Sequence, residues 1–214
     1  MPETIIMLCG GLAKRMRPLT EEIPKCMIPI NGKPLLDYHL KFLRAAGIKK
    51  IILACGHKWE IIKKYYGEQF IYSAETEPLG TGGAVKKALQ FVEEEKFFVY
   101  NADDIIDLNW REFGKVGADA IAVGHPRSTF GAVDLDKEGN VVGFREKPVT
   151  NFWSNAGAYL FSKKTPFPDL GSLEEGTFPK IKLQAFKHEG FWLQINTAKD
   201  IEEAQKFLRE RGVF

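Results

Sequence analysis

Short apolar runs and amphipathic stretches alternate along the first half of the chain, each closed by glycine or a polar pair, and this alternation reads as repeated βα units. Thr4 to Leu8 is expected as the first strand. Pro34 to Ala46 follows as a helix stopped by Gly47, and Lys50 to Ala54 as the next strand. The pattern then predicts a helix over 58–66, a short strand over 70–73 and a helix over 82–92. That last helix leads into the apolar strand of "FFVYNADD". Continuous apolar strands of this kind belong to a sheet buried on both faces, so the fold class is α/β, Rossmann-like, with a mixed but mainly parallel sheet and helices on both sides.

Beyond Ala118 the pattern changes. A strand over 118–123 precedes "GAVDLDKEGNVVGFREK", whose two alternating runs flank Lys137-Glu138-Gly139-Asn140 and predict a hairpin from Gly131 to Glu146. "NAGAYLF" then reads as a strand and "SLEEGTFPKI" as a short helix capped by Ser172. Strands near 183–186 and 190–195 follow, with a closing helix capped at Thr197. No repeat or long linker interrupts the 214 residues, so a single domain, 1–214, is expected, with the hairpin portion around 125–160 as its one excursion.

Composition narrows the function classes. Lys plus Arg total 30 against 28 Asp plus Glu, which is not the single-sign field of a general nucleic-acid binder. No apolar run reaches spanning length and the first residues lack a secretory pattern, so no membrane role and a cytoplasmic address are expected. Cys9, Cys26 and Cys55 are odd in number and set in apolar segments, where free buried thiols are expected. His39, His57, His125 and His188 have no ligand spacing, and Trp153, Phe191 and Trp192 are expected to pack.

The chemistry gathers behind the first strand. Gly10 and Gly11 let the backbone approach an anion, and Arg15 and Lys25 bring positive charge to the place where open α/β sheets bind ligands. The spacing is neither G-x-G-x-x-G nor a P-loop. It runs G-G-x-x-x-R-x-x-P-L-T, then P-K, then P-I-x-x-K-P, from Gly10 to Pro34.

This signature resembles that of the sugar-1-phosphate nucleotidylyltransferases, with mannose- and heptose-type guanylyltransferases nearest in pattern. The resemblance extends through "ETEPLGTGGAV", "NADD", "GFREKP", "NAGAYLF" and "SLEEGTFP" in the family's order. It implies a GT-A-like nucleotidyltransferase fold and a reaction joining a nucleoside triphosphate and a sugar 1-phosphate, with pyrophosphate released and Mg²⁺ as cofactor. It carries catalytic roles to Arg15, Lys25, Asp103 and Lys147. Nucleotide contacts are implied at Leu8, Gly10, Gly11, Glu75, Gly80 and Thr81, and sugar-phosphate contacts at Gly131, Glu146, Lys147 and Asn155. Asp103 is the implied metal ligand, with Asn196 beside it. Asp104, in an extended strand, is expected to face the other way.

Glu75 bears on the base, since a carboxylate only accepts hydrogen bonds and guanine presents N1-H and N2-H₂ together. GTP is therefore favoured, with a cytidylyltransferase as the alternative. Two departures stand out: Ala13-Lys14 replaces the family's Gly-Thr, and "FWLQINTAKD" places Gln194 and Asn196 where the family carries carboxylates. The second keeps open a nucleotide-sugar-binding regulatory protein with little catalysis. A homo-oligomer is compatible with the sequence.

Overall fold

The fold follows from how the apolar strands divide their side chains between two sides of one sheet. The computed structural model describes residues 1–117 and 119–213, so Ala118, where one strand was expected to begin, lies outside the described residues. The strands of the main sheet are β1 (Thr4–Leu8), β2 (Lys50–Cys55), β3 (Ile71–Ala74), β4 (Lys96–Asn101), β5 (Ala120–Gly124), β6 (Ser154–Ser162) and β7 (Gln184–Lys187). They lie in the order β7-β5-β6-β4-β1-β2-β3. All neighbours run parallel except β6, which is antiparallel to both β4 and β5. The sheet is thus mixed and mainly parallel.

Helix α1 (Leu35–Ala46) and α2 (Trp59–Tyr66) cover one face, α3 (Gly80–Ala88) covers the other, and α4 (Ala198–Glu210) closes the chain. Ile5, Met7, Leu53 and Phe98 pack with Leu36, Leu40 and Ile62 on the first side, whereas Ile6, Ile52 and Val99 meet Ala84, Val85 and Ala88 on the second. Successive side chains of a strand point to opposite faces, which is why a continuous apolar run feeds both layers. Gly47 ends α1 in the left-handed conformation at φ 95°, and Thr197 with Asp200 forms a reciprocal capping box on α4.

Two boundaries differ from the pattern reading. Helix α3 begins two residues early, at Gly80, because Gly82 N-H donates to Gly171 O at 2.9 Å and draws the glycine segment against the 168–171 loop. A Cβ built on Gly80 would stand 2.5 Å from the Gly171 oxygen, and the residue sits at φ 74°. Gly80→Ala is therefore expected to cost about 3 kcal/mol, combining left-handed strain with overpacking. Urea denaturation reads this directly, and an unchanged midpoint contradicts it.

The second difference lies in "FFVYNADD". Strand β4 stops at Asn101, the chain turns at Ala102-Asp103, and a separate strand, Asp104–Ile106, pairs antiparallel with Trp192–Gln194. The hairpin forms as expected, Ala132–Leu135 against Val141–Arg145, with Asp136 Oδ1 accepting from Glu138 N and Asn140 N inside the turn. No helix among the described residues is long and apolar enough to cross a membrane.

Candidate active site

The loops that matter leave one end of the sheet. Leu8, Cys55, Ala74, Asn101 and Gly124 are the last residues of parallel strands, and β6, being antiparallel, brings its first residues, Ser154 and Asn155, to the same end. Ligands of open α/β sheets bind there.

The glycine loop is held close to the loop after β2: Cys9 N-H donates to Ala54 O at 2.8 Å, and a Cβ on Gly10 would meet Gly56 N at 3.3 Å. Gly11 has open space where a side chain would be. Ala13 takes the left-handed conformation, φ 43° and ψ 46°, so the loop keeps a glycine-type backbone although the glycine is replaced. The tight turn Lys14–Met16 that follows presents Arg15.

A cavity of about 700 Å³ opens over this loop. Leu8, Gly10, Gly11 and Arg15 line it from one side, and Glu75, Gly80 and Thr81 from the other. Lys25, Asp103 and Asn196 border its floor. All the residues expected to meet the nucleotide are therefore brought together. Glu75 Oε2 accepts from Leu79 N at 3.2 Å, and burial raises its pKa. Thr81 Oγ1 accepts from Leu173 N at 2.8 Å, which fixes the start of α3 to the segment after Ser172.

A smaller cavity of about 220 Å³ adjoins the first and is lined by Asn155, Ser154, Gly157, Trp192 and Gln194, among others. Arg15, Asn101, Asp103 and Asn196 border both spaces. At this neck Lys25 Nζ lies 3.4 Å from Asp103 Oδ2, the lysine side chain 11% and the aspartate 51% exposed. Arg15 Nη2 donates to Asn196 Oδ1 at 3.0 Å across the cleft. Asn196 is itself set by Asp200, whose Oδ2 accepts from Asn196 N at 2.9 Å.

Asp103 and Asp104 diverge, though for a reason other than strand alternation. The chain turns between β4 and the next strand, and Asp104 turns inward to accept from Trp192 Nε1 at 2.9 Å and Ile195 N at 3.1 Å. Burial, with Asp103 adding repulsion, raises the Asp104 pKa to about 6. Asp104 nevertheless borders the smaller cavity.

The expected sugar contacts divide. Asn155 lines the smaller cavity, its Nδ2 donating to Tyr159 OH and its Oδ1 accepting from Gly157 N, both at 2.8 Å. Gly131, Glu146 and Lys147 line neither cavity; they sit at the root of the hairpin. Asn196, the expected neighbour of the metal ligand, borders the neck and accepts from Arg15 through its side-chain oxygen.

Residues given no role at the site by the sequence also line it. Asn101 is the polar residue that ends β4 after the run Phe97-Phe98-Val99-Tyr100, a signal available in the sequence. Trp192, expected to pack, borders the smaller cavity and holds Asp104. Trp153 is 41% exposed and lies against His125 at 4.0 Å between ring centroids. The three cysteines are free and buried, as expected.

Comparison with known proteins identifies the family. The profile of the nucleotidyl transferase family matches residues 4–211. D-glycero-alpha-D-manno-heptose 1-phosphate guanylyltransferase of Campylobacter jejuni is 34% identical over 213 residues, covering 91% of this chain and 95% of that protein. The Aneurinibacillus thermoaerophilus protein of the same name is 32% identical, with 95% and 97% covered. The crystal structure of HddC from Yersinia pseudotuberculosis complexed with GMP-PN superposes with a TM-score of 0.77 at 29% identity, covering 96% of this chain and 99% of that one. The chain belongs to the nucleotidyl transferase family.

Proposed function

We propose that the protein joins GTP and a sugar 1-phosphate, releasing pyrophosphate and forming a guanosine diphosphate sugar. The observation that carries this reading is the neck: Arg15, Asn101, Asp103 and Asn196 border both the larger and the smaller space. Two compartments meeting at charged residues suit two phosphorylated reactants whose phosphates must touch. The larger volume fits a nucleotide, the smaller polar one a sugar. The relatives named above as guanylyltransferases support guanine as the base and a mannose- or heptose-type sugar as its partner.

In this reaction an oxygen of the sugar phosphate attacks the α-phosphorus of GTP, the bond from that phosphorus to the β-phosphate oxygen breaks, and pyrophosphate leaves with the electron pair. Catalysis is mainly positioning and neutralisation. Backbone N-H groups of the glycine loop and the Arg15 guanidinium face the triphosphate, and Lys25 reaches the transferring phosphate from the floor. Asn155, with one amide N-H beyond its bond to Tyr159, is a donor for the sugar side.

A divalent ion fits the residues at the neck in a specific way. Among the described residues no group of three or more His, Cys, Asp or Glu side chains is arranged to hold a metal, but Asp103 is a half-exposed carboxylate at the junction. Magnesium is commonly bound through one or two carboxylates, with substrate phosphates and water completing its shell. Asp103 would hold it, and the ion would neutralise phosphate charge, with the Lys25 amine beside that carboxylate available to the phosphates.

The test is incubation with each of the four nucleoside triphosphates, Mg²⁺ and a panel of hexose and heptose 1-phosphates, reading pyrophosphate and the sugar nucleotide. GTP turnover with a mannose-type phosphate is expected. A strong CTP preference overturns the base assignment, and silence with all four combined with tight binding of a finished sugar nucleotide favours the regulatory reading. Glu75→Gln is expected to raise the KM for GTP roughly 10- to 100-fold, the worth of a hydrogen bond to a charged group, with kcat changed much less. An unaltered preference for GTP in that variant removes Glu75 from base recognition.

A further inference from the structure

Fourteen large apolar side chains are exposed among the described residues, and nine of them lie between Phe130 and Trp153, so this is a patch rather than scatter. The hairpin within it pairs only with itself. Its register sets Val141 opposite Leu135 and Phe144 opposite Val133 on one face, and Gly143 opposite Asp134 and Arg145 opposite Ala132 on the other. The second face is satisfied, with Arg145 Nη2 bonded to Asp134 Oδ1 at 2.7 Å. The first is bare: Val133, Leu135, Val141 and Phe144 are 52% to 64% exposed, and Phe130 and Val142 beside them 78% and 65%. A two-stranded ribbon is at best marginally stable alone, and this one leaves its apolar side in water.

We propose that this face is where two copies of the chain associate about a two-fold axis, ribbon against ribbon. The area is right. The six side chains present on the order of 500 Å² of apolar surface, the two phenylalanines carrying the largest shares. A standard interface takes about 800 Å² per partner, of which a homodimer makes about 65% apolar, or roughly 500 Å². The charges fit as well. Asp134, Asp136, Glu138 and Glu146 are interspersed with Lys137, Arg145 and Lys147, so a second copy meets no like-sign field. A nucleic acid or an anionic lipid surface finds no cationic one. An isologous contact also buries the same face on both copies and ends growth at the dimer. The proposal stands on the ribbon alone and is independent of the reaction assigned above.

Sedimentation of the full chain between about 1 and about 100 µM, the range in which ordinary dimer affinities are read, tests it. The wild type is expected at twice the 24.2 kDa chain mass. Leu135→Asp with Val141→Asp is expected to weaken association at least about 100-fold, with the monomer's fold intact by near-ultraviolet circular dichroism because both positions are exposed, and with a thermal midpoint that no longer depends on protein concentration. Val141→Lys alone gives the same reading if the pair unfolds the chain. Asp134→Asn, on the satisfied face, keeps the dimer. A wild type that is monomeric throughout, a dimer that survives the apolar-face variants, or a monomer that floats with lipid vesicles each overturns the proposal.

Discussion

Lys25→Met is expected to lower kcat for pyrophosphate release by about 10²- to 10³-fold, the loss typical of one preorganised charge-stabilising group, while the KM values shift far less. The reason is the setting of the amine: its stem is buried, 11% exposed, its head is aimed at the neck, and Asp103 Oδ2 lies 3.4 Å away. A cation held on a buried stem costs little reorganisation when phosphate charge develops, whereas Lys14, exposed on the glycine loop, moves with water. Lys25→Arg is not expected to rescue, because a longer planar fork does not fit where a compact ammonium is packed. The fold should tolerate the loss. The Lys25–Asp103 pair is half open to solvent, and such pairs are worth about 1 kcal/mol or less, so the thermal midpoint stays close to wild type. Combining Lys25→Met with Asp103→Asn should cost far less than the sum of the two single effects, since both act on one phosphate. A Lys25→Met enzyme with unchanged kcat and only a raised KM for GTP contradicts this assignment and makes Lys25 a binding residue.

What the sequence discloses here is what short-range chemistry decides. Thr4–Leu8 and Lys50–Cys55 are apolar runs flanked by polar punctuation, Gly47 and Thr197 are end signals with local mechanisms, and Asp136 to Asn140 is a turn closed by its own side chains. The nucleotide side of the site was legible for the same reason: Gly10, Gly11, Arg15 and Lys25 lie within one stretch after a strand. The neck was not. Arg15 meets Asn196 across 181 residues and Trp192 meets Asp104 across 88, pairings fixed by sheet order, which no local pattern encodes. Lys147 shows the limit from the other direction. "GFREKP" reads as a pocket segment through the resemblance alone, and in the fold it lies at the root of a hairpin, where Lys147 lines neither cavity. The same alternation that predicts the hairpin is silent on whether its apolar face is covered.

His39→Leu is expected to alter how stability responds to acid. His39 is buried in α1, edge-on to Tyr100 at 5.1 Å between centroids, with Nε2 lacking a hydrogen-bond partner. Burial lowers its pKa from 6.5 to about 3, against an opposing effect of the Ala102 backbone and with a smaller contribution from Lys25. Between those two values the unfolded chain binds a proton that the folded chain refuses. The stability associated with neutral His39 is therefore complete above pH 6.5 and is lost as pH falls toward 3, at about 1.4 kcal/mol per pH unit, or about 2 kcal/mol from pH 7 to pH 5. Asp104 acts in the opposite sense: its pKa is raised to about 6, so the folded chain takes up that proton first and gains stability as pH falls from 6 toward the ordinary aspartate value. In the wild type the two trends offset one another. Leucine at position 39 removes the loss and leaves the gain, so urea denaturation should show the variant becoming more stable on acidification from pH 7 to pH 5 relative to wild type, by about 2 kcal/mol. That difference is independent of any constant penalty from the substitution itself. Parallel pH profiles for the two proteins mean that His39 takes up its proton in the folded chain as readily as in the unfolded one, and then the buried ring becomes a cation below about pH 6.5 instead of staying neutral.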